Sequence, residues 1–93
     1  MRTTLINIGF GNAVVAERVI AVITPQSASG KRIRDEAKGN SLLIDATQGR
    51  KTRSIVIMDS NHIILSAMQP ETISSRLSST QDISPSGDSD ESE

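Results

Sequence analysis

The densest chemistry in the chain lies in four consecutive residues, Arg50, Lys51, Thr52 and Arg53. Cations set this close together neutralise phosphates and release counterions, which gives affinity for nucleic acid whatever its sequence. Arginine also forks onto a guanine edge or enters a narrow minor groove. Gly49, just before them, lets the backbone approach closely, and Thr52 can donate to a phosphate. Taken alone, such a cluster reads equally as a solvated loop. A second group of cations is Lys31, Arg32, Arg34 and Lys38. Lys31, Arg34 and Lys38 fall at i, i+3 and i+7, one stripe of a helix, which is either a solvated face or a DNA-facing one. Lys31 and Asp35 are spaced to pair. Arg18 stands at a strand end, as a surface charge or a phosphate contact.

Little else in the chain suits chemistry. There is one histidine, His62, and no cysteine. No Ser/His/Asp arrangement can be built from the spacing. Asp45 and Asp59 follow apolar runs, where they are ordinary turn formers. No calcium-loop spacing is present. Gly9-Phe10-Gly11 is not a dinucleotide fingerprint, because Val14 stands where the third glycine belongs. The sequence therefore predicts no enzyme, no cofactor, no metal and no small-molecule ligand. Phe10 is the sole aromatic. That is a poor platform for single strands or RNA, which bind by base stacking. A helix-turn-helix needs more helix than the pattern holds.

Strands and turns must position the basic cluster. Leu42 to Ala67 reads as three short strands. Leu42-Leu43-Ile44 precedes a break at Asp45 to Gly49, and the cations follow. Ile55-Val56-Ile57-Met58 and Ile63-Ile64-Leu65 flank the turn Asp59-Ser60-Asn61. β-branched runs bounded by Asp, Asn, Ser and Gly predict strands and hairpins. The Ile55–Met58 run is apolar on both strand faces, so both faces need cover. Upstream, Leu5 to Phe10 predicts a strand that turns at Gly9 to Asn12. Val14-Val15 and Val19–Ile23 predict one or two more, interrupted at Glu17 and Arg18. Ser27 or Ser29 caps a helix from about Ala28 to a stop at Gly39, with Gly30, Ile33 and Ala37 on one face. Gly30 weakens the first turn of that helix by roughly 1 kcal/mol. Pro70 and Glu71 open a second short helix, to about Leu77, with Ile73 and Leu77 on one face.

The charge is divided unevenly along the chain. Residues 1–81 hold all ten Lys and Arg against six acids, a net of +4, and Asp82 to Glu93 carries the other five acids. A basic body with an acidic tail points to nucleic acid. From Ser78 the composition turns Ser-rich and acidic, which predicts disorder. Two regions follow, a folded domain over 1–77 and a tail over 78–93. With no Trp or Tyr the core is aliphatic and thin, which favours completion by a neighbouring subunit. The apolar runs are too short for a signal peptide or a membrane helix, so a soluble cytoplasmic protein without a membrane partner is expected.

The segments GRKTR and SIVIMDSNHIILSAMQPETI, with INIGFGNAVVAERVIAVITP near the start, closely resemble the RemA family of small bacterial regulators. The resemblance covers roughly residues 3 to 77. It implies a DNA-binding transcriptional regulator of biofilm and extracellular-matrix genes, located at the nucleoid and assembled as a ring-shaped homo-oligomer. It also implies a duplex-binding role for Arg50 and Lys51 and favours Arg18 as a contact. The chain departs from the family at three places. Lys51 replaces the more usual arginine, Gln48 a frequent aromatic, and Ser29-Gly30 a proline and an apolar residue. The expectation is an α+β domain with a small, mostly antiparallel sheet and two short helices. A ring of such domains would carry Arg50, Lys51, Arg53, Arg18, Lys31, Arg32 and Arg34 on its rim. The alternative is a structural or protein-interaction oligomer without DNA binding.

Overall fold

Residues 4–81 are described by the computed structural model, an α+β domain with two helices and mostly antiparallel sheets. A hairpin comes first, β1 (Leu5–Gly9) and β2 (Asn12–Val15), then a single 3-10 turn over Ala16–Arg18. The main sheet has four strands, β3 (Val19–Ile23), β4 (Leu43–Asp45), β5 (Ser54–Met58) and β6 (Ile63–Ser66), in the order β3-β5-β6-β4. Two of its three pairings are antiparallel: β5 and β6 form the expected hairpin, and β3 returns along β5. β4 pairs with β6 in parallel. That is possible because the long Arg50 loop lies between β4 and β5, leaving β6 to fill the space between them.

The expected two-sided burial of β5 is met within the subunit. Ile55 and Val56 are both fully buried on opposite faces. On one side lies α1 (Ala28–Gly39), where Ala37 and half-buried Ile33 pack on Ile55, Ile63 and Leu65. On the other lie the β1–β2 hairpin and α2 (Pro70–Gln81). There Ile6, Ile8, Val14 and Ile73 close over Val56, Met58 and Ile64. Residues of one strand alternate between the two cores, as the two-residue period of a strand requires.

Gly30 does not fray the helix. Ser27 caps α1 by accepting from Gly30 N at 2.9 Å. Gly30 is buried, and a Cβ there would collide with the Thr24 carbonyl oxygen and lie 3.2 Å from Pro25 Cα. The glycine is the close approach that lets α1 fold back onto the strand it has just left. At the other end the stop is not Gly39 itself, which is still helical. Ser41 takes the left-handed conformation (φ 60), and Leu42 N donates to Ala37 O at 2.9 Å. Ser41 N also reaches Lys38 O at 3.5 Å, completing a Schellman closure with serine in the glycine place.

α2 continues four residues past the expected end at Leu77, to Gln81. The rest of the predicted acidic tail, 82–93, lies outside the described residues. Among the described residues the single ion pair joins Arg18 to Asp59 at 3.2 Å, and the expected Lys31–Asp35 pair is not made. No helix among the described residues is long and apolar enough to cross a membrane.

Candidate nucleic-acid interface

The strand registers place Arg50, Lys51 and Arg53 at one end of the main sheet. β3 and β5 meet there at Ile23 and Ile55, β5 and β6 at Ser54 and Ser66, and β4 ends beside Leu65. The chain then leaves β4, crosses the end of β6 and enters β5, carrying the three exposed cations on the way. This loop is pinned along its length. Ala46 N donates to Leu65 O at 2.9 Å and Arg53 N to Ser66 O at 2.8 Å. Asp45 Oδ1 accepts from Thr47 N (2.9 Å) and Thr47 Oγ1 (2.6 Å), and Thr47 is buried. The Thr47 hydroxyl, and then its backbone N–H, hold the Asp45 carboxyl below its ordinary pKa against a small opposing effect of burial. Next comes a tight turn with positive φ at Gln48 (54) and Gly49 (79), closed by Arg50 N to Thr47 O at 3.0 Å. Positive φ at both central residues is the type I′ form, which glycine accepts freely.

The tip of the β1–β2 hairpin reaches the same end. Phe10 (φ 55) and Gly11 (φ 80) form a second turn of this kind. Asn12 Nδ2 donates to Gly9 O at 3.1 Å and, at 3.5 Å, to Ala46 O at the start of the basic loop. Ser66 Oγ donates to Ile8 O at 2.8 Å from within the sheet. Phe10 is thereby brought under Arg50, whose guanidinium carbon lies 5.7 Å from the ring centre. Such a contact contributes about 0.5–1 kcal/mol at an exposed site and holds the guanidinium in place. Phe10, Arg50, Lys51 and Arg53, with Gly9, Ala67 and Met68, line an open groove of about 480 Å³. Sequence reading gave Phe10 no part in the site. Its contact with Arg50 joins residues forty positions apart and left no local signal.

The other predicted cations are distributed differently. Because α1 follows β3, its first turn starts at the Arg53 end, and no acid sits in that turn. Lys31 and Arg32 are exposed in the first half of this helix and Arg34 is half-buried. α1 lies on the sheet face opposite the β1–β2 hairpin, so the sheet separates its cations from Phe10. Arg18 is at the far end, beside the β5–β6 turn. Its NH1 contacts both Asp59 carboxylate oxygens, at 3.4 and 3.2 Å, and its carbonyl accepts from Asp59 N at 2.8 Å. One subunit therefore gathers Arg50, Lys51 and Arg53 and holds Arg18 apart from them.

His62 is also at that far end, with Nδ1 2.7 Å from Ser60 Oγ. Among the described residues no group of three or more His, Asp or Glu is placed to hold a metal ion.

The main sheet ends in two edge strands, β3 and β4, each paired on one side only. Each edge exposes an isoleucine, Ile20 (64% exposed) at a register irregularity in β3 and Ile44 (46%) in β4. Exposed aliphatics on open edges invite pairing with another chain.

Comparison with known proteins places this chain in a lineage. Residues 5–77 match the family described as "RemA-like: Extracellular matrix regulatory protein A-like". A Thermoanaerobacter sp. (strain X514) relative is 57% identical over 89% of this chain and 86% of its own length. One from Thermotoga petrophila is 68% identical over 77% of this chain and 78% of its own. A third, from Halalkalibacterium halodurans, is 55% identical over 89% of this chain and 95% of its own. All three carry the name "Putative regulatory protein".

Proposed function

The chain belongs to the RemA-like family, and on that premise we propose that it is a non-catalytic, DNA-binding transcriptional regulator of extracellular-matrix genes. It acts at the nucleoid, in the cytoplasm, as a homo-oligomeric ring. One observation carries the reading: Arg50, Lys51 and Arg53 stand exposed on a pinned loop at one end of the sheet, lining one groove. Pinned cations meet phosphates without first paying to be ordered.

The two free edges support the ring. A closed ring needs two different, complementary surfaces on opposite sides of the subunit. β3 and β4 offer two different surfaces, at opposite edges of one sheet. A single subunit, with a net +4 over residues 1–81, binds duplex weakly. A ring repeats the Arg50 groove at fixed spacing and turns weak contacts into avidity. Its rim also offers the α1 cations Lys31, Arg32 and Arg34, and Arg18 from the far end, to a duplex that bends around it. Readout is then of shape and deformability more than of base edges.

The test is fluorescence anisotropy of a labelled duplex across a salt series, for the protein and for Arg50→Ala/Lys51→Ala. Each phosphate contact adds about 0.9 to the log–log slope, so the double variant flattens it by about 1.8 for every subunit engaged and binds more weakly. No binding at low salt overturns the regulator reading and leaves an interaction module. Light scattering that finds a monomer overturns the ring.

A further inference from the structure

We propose that Phe10 is a direct DNA contact, an apolar element that packs on the deoxyribose edges of a bound duplex beside Arg50. The inference rests on the duplex-binding reading and extends it to a residue that carries no charge.

Phe10 is poorly explained by the fold. It belongs to neither core, and half of it (50%) remains exposed. Its backbone sits at φ 55, a left-handed conformation that bulky side chains rarely adopt and that a type I′ turn fills best with Asn, Asp or Gly. An aromatic here gives up turn stability, and strain of this kind concentrates where a side chain must be aimed. The turn aims it into the groove lined by Arg50, Lys51 and Arg53. Arg50 is the cation set over the ring, and the half-exposed side chain keeps further surface for a ligand. A lone apolar ring among three cations is complementary to the DNA backbone. The cations take the phosphates, and the ring takes the sugar edges between them. Proteins that bend duplex also set apolar side chains against the minor groove, there as wedges between base steps. A ring of subunits would repeat the contact at regular intervals along the bent path.

The experiment compares Phe10→Asn with Arg50→Ala in duplex anisotropy over a salt series, with thermal melting and light scattering of each variant. Asparagine suits the turn, so the Phe10→Asn protein melts at the same or a higher temperature and keeps its subunit number. Its affinity falls by roughly fivefold, the lower end of what stacking a base on an aromatic contributes, since a sugar edge offers the ring less surface. Its log–log salt slope stays unchanged, because no phosphate contact is lost, whereas Arg50→Ala flattens the slope by about 0.9 for every subunit engaged. Unchanged affinity in Phe10→Asn overturns the proposal. So does a slope flattened as in Arg50→Ala, which would make the ring only a support for Arg50. A changed subunit number overturns it too, by moving the ring into a subunit contact. If the unaltered protein binds no duplex, the regulator reading itself has failed. If it binds and Phe10→Asn binds equally well, only this contact is removed.

Discussion

Ser54 and Ser66 stand opposite each other on β5 and β6, fully buried, and each sends its hydroxyl out of the sheet to a neighbouring segment. Ser54 Oγ donates to Met68 O at 2.7 Å, and Ser66 Oγ donates to Ile8 O at 2.8 Å while accepting from Met68 N at 3.0 Å. The two serines tie the hairpin behind Phe10 and the approach to α2 onto the sheet end that bears the cations. Ser66→Ala leaves a buried carbonyl, Ile8 O, and a half-buried N–H, Met68 N, without their partner. The expected loss is about 1–3 kcal/mol in urea unfolding, and the Phe10–Arg50 contact loosens with it.

Gly30 gives a prediction of unusual sign. Replacing a helical glycine by alanine ordinarily stabilises by up to about 1 kcal/mol. Here the new methyl meets the Thr24 carbonyl, which belongs to the backbone and has nowhere to retreat. Gly30→Ala should lower stability by about 1–3 kcal/mol, the usual cost of overpacking, read from the unfolding midpoint.

Asp45 makes the loop sensitive to acid. Its folded pKa lies below the unfolded value because Thr47 donates to the ionised form. The stability it contributes is therefore complete above the unfolded value, near 3.9, and is lost as pH falls through the lower folded value. Asp45→Asn should remove this part of the acid sensitivity, checked by comparing unfolding of the two proteins at pH 7 and at about pH 3.

Arg18 spends its charge on Asp59 in the isolated subunit. Both side chains are largely exposed, so the pair contributes little to stability. In duplex anisotropy, Arg18→Ala should flatten the salt slope by about 0.9 for every subunit engaged, with little change in melting. Asp59→Asn should strengthen binding a few-fold by removing the repelling carboxylate.

The edge isoleucines predict the assembly. If β3 of one subunit meets β4 of the next, Ile20→Lys alone should shift the light-scattering mass toward the monomer. Adding Ile44→Glu in the same chain should restore the larger species, since the two new charges then face each other across every contact.

Much of this fold was legible in the sequence because its signals are local. The Ile55–Met58 run announced a strand covered on both faces, and Asp59-Ser60-Asn61 announced the turn that follows. Of the two serines placed to cap α1, Ser27 and Ser29, the first is the one that does so. What stayed hidden depends on contacts between distant segments. Gly30 looked like a weak point because the Thr24 carbonyl it must clear is positioned by the bend between β3 and α1. Gly39 looked like the helix stop, but the Schellman closure put Ser41 in the left-handed place. The three residues of β4 carry no mark of parallel pairing with β6. At the candidate site the cations of residues 50–53 could be read directly. Phe10 could not, because only the folded hairpin brings it under Arg50.

The basic loop is a strap. It begins at Asp45 on one strand, ends at Ser54 two strands away, and has β6 beneath it. Its conformational entropy is therefore surrendered when the domain folds and not when DNA arrives. Calorimetry of duplex binding should accordingly show a small heat-capacity change, without the large negative value that accompanies folding of a segment on its partner. The favourable entropy should come from ions leaving the duplex. Lengthening the strap with glycines would return that cost to the binding step and slow nothing else.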